Sequence, residues 1–526
     1  MIEQAASYSL LPLLLMCLSV LPACGQEDAA QDAFDRYLAE SGPEVSYWIK
    51  GGKVFDGQEQ LSSGTDVLIR SDTIAYVGWV DSARIQPGRI INAHGQWVSP
   101  GFIDTHAHGD TRRTPEFGNF LSMGVTTICL GQDGSSPNVP DFSSWMAGVE
   151  RTVPGVNVAM FIGHGTLRQQ SGTGYAPKPE PEQMKRMEEL LHDALRAGGF
   201  GMSTGLEYTP GIYAGEEELL RLARVVGEHG GMIMSHMRNE DNDAIEASLR
   251  ELLRQGRYCN VQASHLKVVY GKGAQRAEEI LAIMDSARAA SAYRVTADLY
   301  PYTASYTGIG IVFPTWAKAP NDYATVVRTR RAELLAALRE KVIARNGPEA
   351  TLFGTVPYAG KTLAEVAREQ GKPFEEVLLE IGPGGASGAY FVMDESLQAR
   401  LLQDPHVMVC SDGSPTMHHP RGYGSFARII EDFVRKEGLL TLPEALHKMT
   451  ALPAHTLGLT DRGRLAPGAK ADLLVFDPAE VEARADFSQP HRLARGFDWV
   501  LVNGKIAVEE GVLQPERHGT VLRSER

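Results

Sequence analysis

The pattern that most constrains this chain is the alternation of short apolar, strand-like runs with longer helical stretches. The runs lie at 126–131, 158–163, 199–203, 232–236, 261–265, 294–299 and 407–411, preceded by one that ends in His106-Ala-His108. That makes about eight strands, each followed by a helical segment long enough to cross back, the signature of a parallel (β/α)8 barrel. One interval breaks the rhythm: residues 308–400 are mostly helical and charged, and read as an insertion in the barrel. Short β-like runs at 47–55, 66–77 and 89–98 are matched by others at 471–476, 499–502 and 505–508, separated by Gly and Asp turns. The two ends are therefore expected to form one small β-sandwich domain (45–98 and 461–526), with the barrel at 99–460. A chain of 526 residues is long enough for such a division. Its 43% hydrophobic and 22% charged content suits a globular α/β protein. Its net charge of −14, without a basic patch interleaved with aromatics, argues against a nucleic-acid partner. No pattern sets an oligomeric state.

Residues 9–20 are almost wholly apolar, too few to span a bilayer comfortably, and run into Leu21-Pro-Ala-Cys24. Residues 1–24 resemble a bacterial lipoprotein signal in which Cys24 becomes lipidated. Export to the periplasm, with a possible lipid anchor at Cys24, is the expectation, and residues 25–44 read as a polar linker. The body beyond keeps Cys129, Cys259 and Cys410, an odd number in apolar runs. Buried free thiols are expected there rather than a disulfide framework.

Barrels build their chemistry at the carboxyl ends of their strands, so those ends carry the functional reading. On an extended strand His106 and His108 point the same way, giving half of a metal site. An isolated His-x-His is as often an incidental surface pair. Here the other strand ends add Asp133 in Gly131-Gln-Asp-Gly134, His236, His265 in Ala263-Ser-His-Leu-Lys267, and Asp412 in Cys410-Ser-Asp-Gly-Ser414. Four imidazoles and two carboxylates form the N/O set that suits zinc or another borderline divalent ion in an open site.

The ordered motifs Gly163-His-Gly-Thr-Leu-Arg168, Ser203-Thr-Gly-Leu-Glu-Tyr208, His236-Met-Arg238, Asp298-Leu-Tyr-Pro-Tyr302, Ser411-Asp-Gly413 and His419-Pro-Arg-Gly-Tyr-Gly424 add to these residues. From about residue 47 to its end the chain resembles the N-acyl-D-amino-acid deacylases (D-aminoacylases) of the amidohydrolase superfamily. The resemblance implies that His106 and His108 serve one metal, that His236 and His265 serve a tighter one, and that Asp412 is the catalytic aspartate and a metal-facing group. It implies one or two zinc ions. At one position the chain departs: Asp133 stands where the family has a metal-binding cysteine. A carboxylate can ligate or bridge, but is harder and tolerates Mn or Co better relative to Zn. Glu207 is the rival for a bridging carboxylate.

The implied reaction is hydrolysis of the amide bond of a small N-acyl-D-amino acid. Asp412 takes a proton from metal-activated water and passes it to the departing amine. The substrate's free carboxylate needs a planar cationic partner, for which Arg421 is the first choice, with Lys267 and Tyr300 completing the clamp. Tyr306 stands where the family commonly has a small hydroxyl residue. His164 and Arg238 read as scaffold. Other amidohydrolase reactions, such as cyclic-amide opening or dipeptide cleavage, remain alternatives, as does a non-catalytic binding barrel.

Overall fold

The computed structural model describes residues 24–525, with side chains from residue 29. Residues 1–23 of the signal motif fall outside the described residues, and Cys24 is the first described. The stretch read as a linker is instead a helix, Cys24–Ser41. Its composition is polar, but Phe34 and Tyr37 share one face at a spacing of three residues, and that pair is enough to dock it. Both rings are buried against Trp48, Leu68 and Tyr76, and Phe34 lies 5.6 Å from the Tyr76 ring.

The helix covers one face of a nine-stranded sheet built from both chain ends. The junction is antiparallel pairing of Leu473–Phe476 with Trp97–Pro100, which in turn lies parallel to Glu44–Phe55. The 66–77 run is two strands, Gln60–Arg70 and Thr73–Gly78, folded back at Ser71 in a left-handed turn (φ 58°). Ile49, Val67, Ile69, Leu473, Val475 and Leu501 form the domain's core on the other face.

The barrel has its expected strands: Phe102–Asp104, Val125–Leu130, Asn157–Met160 continuing into Ile162–Gly163, Gly201–Gly205, Met232–His236, Asn260–Ala263, Val295–Leu299 and Val407–Val409. Neighbours pair in parallel, and the circle closes where Ala107 bridges Gly413 and the His108 N–H donates to the Gly413 carbonyl at 2.7 Å. Being covered on both faces, these strands are continuously apolar and buried, as in Val125–Leu130. The outer helices are amphipathic: Pro181–Arg196 buries Met184, Met187, Leu191, Ala194 and Leu195 at intervals of three and four residues.

Three boundaries differ from the sequence expectation. The insertion begins earlier, at an antiparallel sheet of Ala304–Gly308, Ser387–Phe391 and Thr351–Phe353, and has its own core around Phe313, Leu334, Leu338 and Phe353. It also ends earlier: helix Glu395–Gln403 buries Leu397, Leu401 and Leu402 in the barrel core and belongs to the barrel. The chain's last residues also leave the β-domain. Val521 lies beside Val158 of the third barrel strand, the Val158 N–H donates to Thr520 (2.9 Å), and the Leu522 N–H donates to Val158 (2.8 Å). Cys129, Cys259 and Cys410 are buried free thiols.

Candidate metal centre

Two buried aspartates inside the barrel aim the strand ends. The Asp104 carboxylate accepts from the N–H groups of His106 and Ser411, both at 3.1 Å, tying the first strand to the last. Asp298 accepts from the Thr105 hydroxyl at 2.5 Å and the His265 N–H at 2.6 Å. Burial pushes the Asp104 carboxyl up to about 7, with the hydrogen bonds from Ser411 and His106 opposing and the Asp298 charge adding. Beyond these clamps the backbone turns sharply: Asp133 (φ 53°), His265 (φ 38°) and Asp412 (φ 47°) all lie in the left-handed region. Such conformations cost roughly 1–3 kcal/mol each and persist where the surroundings impose them.

Two of the resulting clusters share one carboxylate, and a third joins Glu207 and Glu240 to His236. His106, His108, Asp133 and Asp412 form the first, and Asp133, His236 and His265 the second. Asp133 Oδ1 lies 3.3 Å from His106 Nε2 and 3.4 Å from His265 Nε2, while Oδ2 lies 3.4 Å from His108 Nε2. His236 Nδ1 and His265 Nε2 are 3.0 Å apart, and Asp412 Oδ1 is 3.1 Å from His108 Nε2. His106 Nε2 and Asp133 Oδ1 are buried with no hydrogen-bond partner. Orphaned buried acceptors of this kind cost roughly 1–3 kcal/mol each, and a divalent cation between them would remove that cost, so the residues fit a metal.

The electrostatics agree. Burial alone would raise Asp133, but the charge of His106 and the close approach of His106, His108 and His265 hold it well below the usual carboxylate range. Burial and the Lys267 charge push His265 down, yet Glu240 and Asp133 carry it up to about 10. His108 is likewise lowered by burial and raised to about 9 by Asp133 and Asp412. The cluster draws positive charge, as a cation site does.

Surrounding groups set the orientation. Glu207 Oε2 lies 3.1 Å from His236 Nε2, the nitrogen opposite the one facing His265. That contact orients His236, whereas Asp133 is the carboxylate common to both imidazole pairs. Lys267 is less free than a clamp requires: its Nζ is 2.7 Å from Glu240 Oε2 and 2.7 Å from His265 Nδ1. Glu240 itself escaped the sequence reading, because an acid in a polar loop looks like surface charge. It is buried, and Lys267, His236 and His265 hold it low against the upward push of burial. Arg421 lies 2.8 Å from Asp412 Oδ2 and 4.6 Å from the Tyr300 ring centroid. Burial raises Asp412, but Arg421 and His108 outweigh it and keep the carboxyl ionised. His164 and Arg238 are scaffold: His164 Nε2 is 2.7 Å from Glu218, and Arg238 forks onto Glu251.

His108, Asp133 and Tyr208 stand where two cavities meet. The smaller, about 260 Å³, holds Lys267, Tyr300, Tyr306 and Arg421. The larger, about 770 Å³, is lined by the 131–139 loop, Arg112 and Pro210.

A (β/α)8 barrel carrying two imidazole pairs on a shared carboxylate at its carboxyl face defines a metal-dependent amidohydrolase. Residues 154–508 match the amidohydrolase family. The chain is 36% identical over 501 residues to the N-acyl-D-glutamate deacylase of Alcaligenes xylosoxydans xylosoxydans, covering 90% of this chain and 96% of that protein. It is 32% identical to the D-aminoacylase of the same organism, with the same coverage. The solved N-acyl-D-glutamate deacylase of Bordetella bronchiseptica, complexed with zinc and a phosphonate mimic of the tetrahedral intermediate, superposes with a TM-score of 0.78 at 32% identity, covering 91% of this chain and all of that one. The chain belongs to the N-acyl-D-amino-acid deacylase (D-aminoacylase) family of the amidohydrolases.

Proposed function

We propose that this protein is a metal-dependent hydrolase that cleaves the amide bond of N-acyl-D-amino acids, giving a carboxylic acid and a free D-amino acid. The observation that carries this reading is the pair of imidazole clusters on Asp133, with Asp412 and Arg421 beside them in one cavity. His236, His265 and Asp133 would hold the tighter ion, and His106 and His108 a second. Zinc is the first choice, since the Bordetella relative binds it, and the hard Asp133 widens tolerance toward Mn or Co. A divalent ion bound there supplies carbonyl polarisation and a water that ionises near neutral pH.

Asp412, held ionised by Arg421 and His108, accepts the proton of the attacking water and returns it to the leaving nitrogen. Arg421 does two things: it keeps Asp412 ionised, and with Tyr300 it offers N–H and O–H donors to the substrate's α-carboxylate. Lys267, tied to Glu240, adds positive charge to that end and fixes the His265 ring. The amino-acid part thus occupies the smaller cavity and the acyl part the larger.

A panel of N-acetyl-D- and N-acetyl-L-amino acids tests the reading. Hydrolysis confined to D-substrates is expected, and turnover only of cyclic amides or dipeptides would replace it. We further propose that the protein works outside the cytoplasm, anchored at Cys24, on the strength of the 9–20 apolar run before that cysteine. Fractionation of cells making the full chain and its C24A variant should place the first with membranes and release the second.

A further inference from the structure

Resting on that reading, we infer that Arg345 selects substrates whose side chain bears a second carboxylate, which makes the inserted domain of the barrel the specificity element. Arg345 caps helix Tyr323–Ala344 of the insertion, is only 3% exposed, and lines the smaller cavity together with His108, Lys267 and Arg421. Three Lys or Arg side chains therefore face that space. Lys267 is paired with Glu240 at 2.7 Å and Arg421 with Asp412 at 2.8 Å. Among the described residues no carboxylate lies within 4 Å of Arg345, and its Nε has no hydrogen-bond partner. The cavity's other acids are turned elsewhere: Asp241 to Lys341 at 3.2 Å and Glu207 to His236 at 3.1 Å.

A guanidinium cannot shed its charge, and a fully buried one is rarely left without an anion. What holds Arg345 is aromatic surface, with ring centroids of Tyr390 at 4.9 Å and Tyr270 at 6.0 Å. Tyr270 is itself held in a left-handed conformation (φ 67°), its N–H donating to the Val392 carbonyl of the insertion at 2.9 Å. The two rings hold the guanidinium without neutralising it, its Nε is unpartnered, and a carboxylate is the anion whose two oxygens match its fork. With the α-carboxylate taken by Arg421 and Tyr300, the group left to reach Arg345 in the same cavity is the end of an acidic side chain.

The experiment measures kcat/KM of the metal-loaded enzyme and its Arg345→Met variant for N-acetyl-D-glutamate, N-acetyl-D-aspartate and N-acetyl-D-methionine. The wild type should favour an acidic substrate over the neutral one, and the variant should lower that ratio on the order of 10²-fold, mainly through KM, the scale of one charge-assisted pair. Arg345→Lys should recover part of the ratio. An equal loss on all three substrates, as from a merely structural arginine, overturns the inference, as does a wild type that prefers the neutral substrate. Should Arg345→Met not fold, inhibition of the wild type decides: free D-glutamate must compete better than free D-methionine. Failure to hydrolyse any of the three sinks the deacylase reading, whereas hydrolysis of the methionine derivative alone sinks only the role of Arg345.

Discussion

Asp133 lies within 3.3–3.8 Å of ring nitrogens from His106, His108, His236 and His265, and its neighbours leave its Oδ1 without a hydrogen. Asp133→Ala should therefore lose the tighter ion, because two imidazoles alone half-fill a four-coordinate site. Asp133→Cys should keep that ion and shift preference toward zinc over manganese or cobalt, since thiolate favours the softer metal. Metal content of both variants, read after dialysis against mixed ions, checks this. Unchanged content and preference in both would reduce Asp133 to a turn residue before Gly134. Asp412 makes a different prediction, since Arg421 and His108 hold it ionised and ready to accept a proton. Asp412→Asn should retain metal and cut kcat by roughly 10²-fold or more, the usual worth of a positioned acid/base. Near-normal kcat would move proton transfer to another group.

Among the elements, helix His164–Gln170 and helix Glu216–Glu228 are locked by Glu218, which lies 2.7 Å from His164 Nε2 and 2.6 Å from Arg168 Nη1. The Gly163-His-Gly-Thr-Leu-Arg168 motif thus serves architecture beside the site. Burial raises the Glu218 carboxyl, but His164 and Arg168 more than offset it and bring it below its ordinary 4.5. A depressed folded pKa contributes stability above the unfolded value and loses it as pH falls through the folded one. Glu218→Gln should cost about 3–5 kcal/mol at neutral pH and shrink the difference from wild type as pH drops below about 4.5. Denaturant midpoints from about pH 7 to 3.5 provide the readout, and parallel curves would remove the linkage. The same scale explains what could be read in advance. The barrel strands were legible because burial on both faces makes them continuous apolar runs. Helix Cys24–Ser41 was not, since among its described side chains little beyond Phe34, Tyr37 and Leu38 betrays a docked face. Nor was Arg345, forty-five positions past Tyr300 in sequence and brought to the same cavity only by the fold of the insertion. The strand-end residues that the fold brings together could be named as candidates from the sequence, whereas Glu240 needed the burial that only packing supplies.

For the whole molecule, the β-domain, barrel and insertion divide the work. The sheet joins the chain's two ends beneath the first barrel strand, and the final residues stitch back to the third strand at Val158. The candidate metal ligands come from five strand ends spread around the circle, so an ion bound among them would tie together elements distant in sequence. Binding only to the folded state must then stabilise it, by about 2.7 kcal/mol at a hundredfold excess over Kd, and chelated protein should melt below the loaded form. The central claim, that this centre hydrolyses N-acyl-D-amino acids through a bound metal, is tested most directly by one titration. Chelated protein is supplied with zinc in steps while metal content, N-acetyl-D-amino-acid hydrolysis and its L-counterpart are followed together. D-specific activity that is absent without metal and rises to a plateau as the tighter site fills is the expected result. Full activity in metal-free protein, or a fully loaded centre that leaves every D-substrate intact, would contradict the account.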